Sequence, residues 1–388
     1  TSSIGLYGIG ERRTGVYDQA CDAAMTAAYR LIQPVGVLVG GLGAEPAQTA
    51  FLETDGLYFT QPGVDDDWMR HWLVPTVSRT LADARLPFDW VTDDHVYAGW
   101  LARYRAVVVP GAWRLPARTH QALTEYARAG GTVIADKVMR ADIPGAQRLD
   151  IATQAYPAET VQAQLGGWAA TFRDQCTAWA QVSPVDPVFT YTREAGPARY
   201  LFVINDHRES GPQYEKWRIT LNTIGRTPTE PLRDRGLPQD VRVSIPAGHA
   251  VYDVLRHRLL AGAPEGDRQS FMLQLDPGAA AVLAAFPVPL ARLALDSPAR
   301  LAPGAAGEVR LAVLDAAGRP VPGRQLAELR VVRPDGQAWA GVERYRRISD
   351  GALVMPLRLP FTAMPGTWRI EALDWVSGLR AERQLTVE

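Results

Sequence analysis

The sequence predicts a multidomain chain: an α/β unit built on a parallel sheet, then two all-β sandwiches. Three observations carry this. The stretch Tyr104–Lys137 reads as strand, helix, strand. From Pro184 onward the pattern changes to short strands punctuated by Gly and Pro. The chain has 388 residues, enough for two or three hydrophobic cores.

The α/β reading rests first on Ala106–Val109, a valine-rich run stopped by Pro110 and Gly111. Pro116 opens a helix, where a missing N–H costs nothing. Leu123, Tyr126 and Ala127 then fall at i, i+3 and i+4 on one face, and Gly130–Gly131 ends the helix. Thr132–Ala135 is a second run containing β-branched residues. Together they form a βαβ unit, which implies a parallel sheet with a right-handed crossover.

Around this unit the elements follow in order. Residues 1–34 form a helical lead, in which Tyr17–Ile32 puts Ala24, Ala27, Ala28 and Leu31 on one face and Pro34 ends the helix. Val35–Val39 reads as the first strand of an α/β domain spanning 35–183. Gly40, Gly41 and Gly43 follow it without the immediate helix that a phosphate cradle needs, so they read as a loop. Asp65–Asp67 cap a helix over Trp68–Ala84. Pro87–Val91 is the second strand, and a short helix over Tyr97–Ala102 leads to the third strand at Ala106. Thr132–Ala135 is the fourth, and Glu159–Trp179 reads as a helix closing the domain.

The first sandwich spans 184–287. Val188–Thr192 and Arg199–Ile204 make a hairpin around Gly196-Pro197. Trp217–Leu221, Val241–Ile245, Val251–Val254, Phe271–Leu275 and Ala280–Phe286 follow, with a polar loop over Asn222–Gln239. The second sandwich spans 288–388, with strands at Leu293–Leu295, Gly307–Leu314, Leu329–Val332, Ala352–Leu359, Thr367–Leu373 and Arg380–Val387. About seven short strands over roughly 100 residues read as an immunoglobulin-like sandwich.

Composition excludes several function classes. The formal charge is −1 and charged residues make up 21%. Arginine is scattered, and lysine occurs only at Lys137 and Lys216, so there is no clustered basic face for nucleic acid. Cys21 and Cys176 give neither a metal spacing nor a disulfide framework and read as buried thiols. No apolar run reaches membrane-spanning length and no signal peptide is visible. The expectation is a soluble protein, cytoplasmic or periplasmic. The chain starts at Thr1 rather than Met, as a processed product or the downstream part of a longer protein would. Eleven tryptophans suit cores before sugar-stacking surfaces.

Ligands of open parallel sheets bind beyond the carboxyl ends of the strands. The residues expected there include Asp93, His95, Trp113, Asp136 and Lys137, which are the candidate ligand-binding set. The Asp93-Asp94-His95 cluster has the chemistry of a metal ligand set or an acid–base pair; a helix cap in a solvated loop outweighs both. No G-x-S-x-G or G-x-C-x-G elbow occurs, and the turn after Thr132–Ala135 carries Asp136 instead of a nucleophile. Glu53, Asp55 and Asp89 are carboxylates without a pattern that singles them out for glycoside hydrolysis, and there is no eightfold βα repeat. No catalytic residue, metal site or cofactor is predicted.

Three phrases carry a resemblance: LADARLPFDWVTDD (Leu81–Asp94), GWLARYRAVVVPG (Gly99–Gly111) and ARAGGTVIA (Ala127–Ala135). They resemble the class I glutamine amidotransferase-like domain of bacterial glycoside hydrolases, the trimerisation domain that follows the barrel in family 42 β-galactosidases. The resemblance implies a flavodoxin-like sheet that has lost its glutaminase nucleophile, assists oligomerisation and helps wall an active-site cleft. In that family the catalytic glutamates lie in the barrel, so none carries over to this chain. ARYLFVINDH (Ala198–His207), VYDVLRHRLL (Val251–Leu260) and LQLDPGAAAVLAAFP (Leu273–Pro287) resemble the β-domain that ends such hydrolases. PGTWRIEALDWVSGL (Pro365–Leu379) is similar to bacterial immunoglobulin-like or macroglobulin-like modules, an addition to the simple family 42 pattern.

The expected function is a non-catalytic accessory region of a bacterial carbohydrate-active enzyme, supporting substrate access and homo-oligomerisation through the first domain. Carbohydrate is the expected small-molecule partner. One alternative is a glycan- or protein-binding module using Trp217, Trp339, Trp368 and Trp375. Another is a hydrolase or amidotransferase-like enzyme using Asp93, His95 and Asp136.

Overall fold

A computed structural model describes residues 19–56, 87–136, 139–149, 178–184, 188–209 and 235–388. Among the described residues strand predominates, with one parallel sheet and several antiparallel ones. Among the described residues no helix is long and apolar enough to cross a membrane.

The parallel sheet has five strands in the order Phe88–Thr92, Thr49–Glu53, Ala106–Val109, Thr132–Asp136 and Gln147–Leu149. Numbered along the chain this is 2-1-3-4-5, an order of doubly wound α/β sheets. Ala106–Val109 is central and buried throughout, as a strand covered on both faces must be. Ala50, Leu52, Val107, Val109, Val133 and Ala135 point to one face, where Leu123 of the Ala117–Arg128 helix packs. Phe51, Val108 and Ile134 are buried on the other.

The third and fourth strands, their helix and its Pro116 N-cap lie where the sequence places them. The first strand does not. Val35–Val39 is the last part of a helix, Gln19–Val39, with Pro34 inside it. Pro34 and Leu38 are both buried at i, i+4 spacing, so the apolar run follows the helical period and not the strand period. The strand is instead Thr49–Glu53. Ala27, Ala28 and Leu31, the expected packing face, are exposed. The expected helices at Trp68–Ala84 and Glu159–Trp179 and the strand at Trp217–Leu221 lie outside the described residues, apart from Ala178 and Trp179, which are not helical.

The middle unit is a sandwich of two antiparallel sheets. One runs Gly43–Ala44, Val188–Ala195, Ala198–Asn205, Ala280–Phe286, Ala250–Asp253, Arg258–Leu259; the other runs Ala263–Glu265, Arg268–Leu275, Gln239–Pro246, Gln181–Ser183. Val203, Val241, Val243, Phe271 and Leu283 fill the space between them. The hairpin turns at Gly196-Pro197, with Gly196 at φ +64°.

The last unit is one continuous ribbon of eight strands: Arg292–Asp296, Ala306–Leu314, Ala352–Arg358, Tyr345–Ser349, Arg324–Val332, Gly366–Asp374, Arg380–Val387 and Arg300–Leu301. Arg292–Asp296 packs near Arg380–Val387, so the ribbon curls on itself. Its closing pair, Arg300–Leu301 with Arg380–Val387, is parallel. The core inside it holds Val309, Leu311, Leu329, Trp368, Ile370 and Leu385, and extends without a break to Tyr200, Tyr252 and Phe286 of the sandwich and to Leu38 of the helix. Arg324 Nη1 donates to Gly40 O at 2.8 Å and Arg347 Nε to Val37 O at 2.6 Å. Both arginines thereby serve the carbonyls and negative dipole end of the helix.

Candidate functional site

The strand order reverses between Thr49–Glu53 and Ala106–Val109, and the crevice beyond their carboxyl ends is where such sheets take ligands. Here Thr54 leaves the first of these strands and Pro110–Trp113 leaves the other. Asp93 opens the short helix Asp93–Tyr97 after the neighbouring edge strand.

Asp93 is only 6% exposed, and its carboxylate is consumed by its neighbours. The Thr54 hydroxyl donates to both oxygens at 3.0 and 2.9 Å. The Asp55 N–H donates at 2.8 Å and the Thr119 hydroxyl at 2.5 Å. Tyr97 Oη lies 3.1 Å from Thr119 Oγ1. One carboxylate thus ties the ends of two strands to the helix after the third. The two loops at the switch point also touch: a Cβ at Gly56 would lie 1.9 Å from Arg114 O. Only glycine lets the backbones approach so closely. Among the described residues, side chains and backbone therefore close the crevice.

The other candidates do not converge on Asp93. His95 turns back on its own strand, its Nδ1 accepting the Thr92 N–H at 3.0 Å, with its ring 4.3 Å from that of Trp100. Trp113 is half-buried under Arg140, whose guanidinium lies 5.1 Å from the ring centre. Asp136 ends its strand opposite Leu149, and Lys137 lies outside the described residues. No three His, Cys, Asp or Glu side chains converge as a metal set among the described residues. Tyr104 carries a large shift in acidity, up to about 12, through burial and then its bond to Asp89. It precedes the third strand, at the opposite end of the sheet from the crevice.

Thr54, Gly56 and Thr119 are the site residues that sequence reasoning missed. The available signal was slight: a Thr-Asp-Gly one residue after the short apolar run Ala50–Leu52. The tryptophans divide differently from a binding surface. Trp368 and Trp375 are 1% and 9% exposed, and Trp339 stacks edge-on against Trp368 at 5.7 Å. Trp217 lies outside the described residues.

A concavity of about 550 Å³ lies on the outer face of the last unit, lined by Glu328, Arg330, Glu371, Leu373, Arg380 and Glu382. Two of its carboxylates are held by neighbouring arginines. Arg344 pairs with Glu328 at 2.6 Å, and Arg369 with Glu371 at 2.9 Å. Burial works to raise the Glu328 pKa, but the bonds from Trp375 and Arg344 outweigh it and hold the carboxyl below its ordinary value. This is a solvated ionic face, unlike the mostly apolar lining of small-molecule pockets.

No family model and no curated protein matches the chain. Solved structures do match at low identity. An α-L-fucosidase from Paenibacillus thiaminolyticus is 11% identical over 71% of this chain and 53% of that one, with a TM-score of 0.49. A GH42 β-galactosidase from G. stearothermophilus is 12% identical over 70% and 45%, with a TM-score of 0.43. A β-galactosidase from Bacillus circulans sp. alkalophilus is 10% identical over 71% and 46%, with a TM-score of 0.41. The chain spans about half the length of these glycoside hydrolases.

Proposed function

We propose that the chain is a non-catalytic accessory region of a β-galactosidase-type carbohydrate-active enzyme. In this reading the α/β unit is a flavodoxin-like, amidotransferase-like domain that self-associates, and the last unit is immunoglobulin-like. One observation carries the non-catalytic part: among the described residues, the Asp93–Thr54–Thr119 bonds and Gly56 against Arg114 occupy the switch-point crevice. The 2-1-3-4-5 strand order and the phrases Leu81–Asp94, Gly99–Gly111 and Ala127–Ala135 support the domain reading. The parallel edge pair closing the last ribbon supports the other.

The test is to assay the purified chain against aryl glycosides, oligosaccharides and glutamine, and to measure its mass by analytical ultracentrifugation. Self-association without turnover is expected. Turnover that disappears on substituting a single carboxylate would overturn the reading, and a strictly monomeric chain would remove its assembly role.

A further inference from the structure

The Gln19–Val39 helix is packed at one end and bare before it. Its Pro34–Val39 end docks on the Arg324–Val332 and Tyr345–Ser349 strands. There Pro34 and Leu38 are buried, and Val35 and Val39 are half-buried against the joint core. Before Pro34 the described side chains are bare: Ala23 and each residue from Thr26 to Gln33 is exposed. Tyr29, Leu31 and Ile32 are among them, large and apolar.

The bare part is nonetheless patterned. At about 100° per residue, Ala27, Ala28, Leu31 and Ile32 fall on the same side of the helix as Pro34, Val35, Leu38 and Val39, the eight spanning about 160°. Thr26, Arg30 and Gln33 fall on the opposite side, and Arg30 is the only charge from Ala23 to Val39. An apolar stripe of this width is the mark of a helix face that is covered. The stripe by which the helix docks therefore runs on past the edge of what it docks against. A stretch of bare helix this short has little stability by itself, because helices hold through the packing of their apolar face.

The order of residues along the stripe says what fits it. Two small residues, Ala27 and Ala28, precede two large ones, Leu31 and Ile32. An antiparallel second copy lays its Leu31 and Ile32 over these alanines and offers its own alanines in return. Large side chains then meet small ones on both sides of a two-fold axis, as a self-complementary interface requires. A parallel copy sets large on large and small on small. The antiparallel arrangement also leaves Arg30 of both copies on the outer side, so like charges do not meet. An unlike partner needs a matching spacing of its own, whereas a second copy already carries it.

We propose that this stripe is an interface between two copies of the chain: an antiparallel helix pair in which Leu31 and Ile32 of each copy pack over Ala27 and Ala28 of the other. It continues the interface that the same stripe makes with the last unit. It lies outside the α/β unit and is independent of the self-association proposed for that unit. Four side chains from each copy cover far less than the roughly 800 Å² per partner of a standard interface. The pair is therefore weak, forms at micromolar concentrations and above, and leaves the dilute chain unpaired here.

Sedimentation velocity of the full chain from about 1 to 100 μM, the range of a weak pair, tests this. A dimer whose share grows with concentration is expected. Leu31→Asp with Ile32→Asp puts two charges into the stripe and should weaken that dimer by about tenfold or more. Arg30→Ala, on the far side, should leave it unchanged. Ala28→Cys stands close to the two-fold axis, so a short bismaleimide should cross-link it well above the wild-type level set by Cys21 and Cys176. A chain that is monomeric throughout the range would overturn the pairing and leave the stripe to a different partner. An oligomer that the double Asp variant does not weaken would also overturn it, and would assign the self-association to the α/β unit instead. Should the double variant not fold, a dimer in which Ala28→Cys cross-links no better than wild type would do the same.

Discussion

At the scale of single residues, the Asp93 carboxylate is the shared acceptor of the Thr54 and Thr119 hydroxyls and the Asp55 N–H. Removing it leaves these three donors without that acceptor. Each such loss costs about 1–3 kcal/mol in a buried setting. Asp93→Ala should therefore destabilise the α/β unit by about 3 kcal/mol, read from the urea midpoint. His95→Ala, which gives up two exposed local contacts to Thr92 and a ring contact, should cost about 1 kcal/mol or less. If Asp93→Ala left the midpoint unmoved but removed a measurable activity, the carboxylate would belong to a site and the accessory reading would fail with it. The position of Asp93 is legible in the sequence, because it follows an apolar run that ends in Thr-Asp-Asp. Its role is not. Its partners are 39 and 26 residues away in the chain, and only the strand order brings them together.

At the scale of elements, the Gln19–Val39 helix shows where periodicity decides and where it does not. Ala106–Val109 and Thr132–Asp136 are readable because Gly and Pro stop each run and a well-patterned helix lies between them. The run Val35–Val39 has the same composition as a buried strand, and a short apolar run does not distinguish strand from helix. Pro34 reads as a terminator, yet it sits inside the helix, buried one turn before Leu38. The true first strand, Thr49–Glu53, is flanked by polar residues and has only three apolar positions, too weak a pattern to stand out. The helix itself is unevenly held. Its C-terminal turn is fixed by Leu38, Arg324 and Arg347, while Tyr29, Leu31 and Ile32 are each more than 40% exposed. Leu38→Ala should cost about 2–5 kcal/mol, as for other fully buried leucines, and Leu31→Ala about 0.5 kcal/mol or less. Chemical denaturation of the two variants checks this, and equal losses would mean that the exposed half is also packed.

At the scale of the whole molecule, the question is how many cooperative units the chain contains. Sequence divides the β-rich half at residue 287, where one strand set ends and the next begins. Packing does not stop there. Tyr200, Tyr252 and Phe286 on the outer face of the sandwich share one core with Leu326, Leu329 and Trp368 of the last unit. The α/β unit has its own core around Leu123, Val107 and Val133. Cooperative unfolding follows shared burial, because neither side of a common core keeps its buried area when the other opens. Calorimetry should therefore show two transitions, one for the α/β unit and one for the sandwich and last unit together. Phe286→Ala, which empties a fully buried position in the joint core, should lower the second by an amount corresponding to about 3–5 kcal/mol and leave the first in place. Leu123→Ala should do the reverse. Three transitions, or a Phe286→Ala effect confined to one part of the β-rich half, would show that the two β units fold separately.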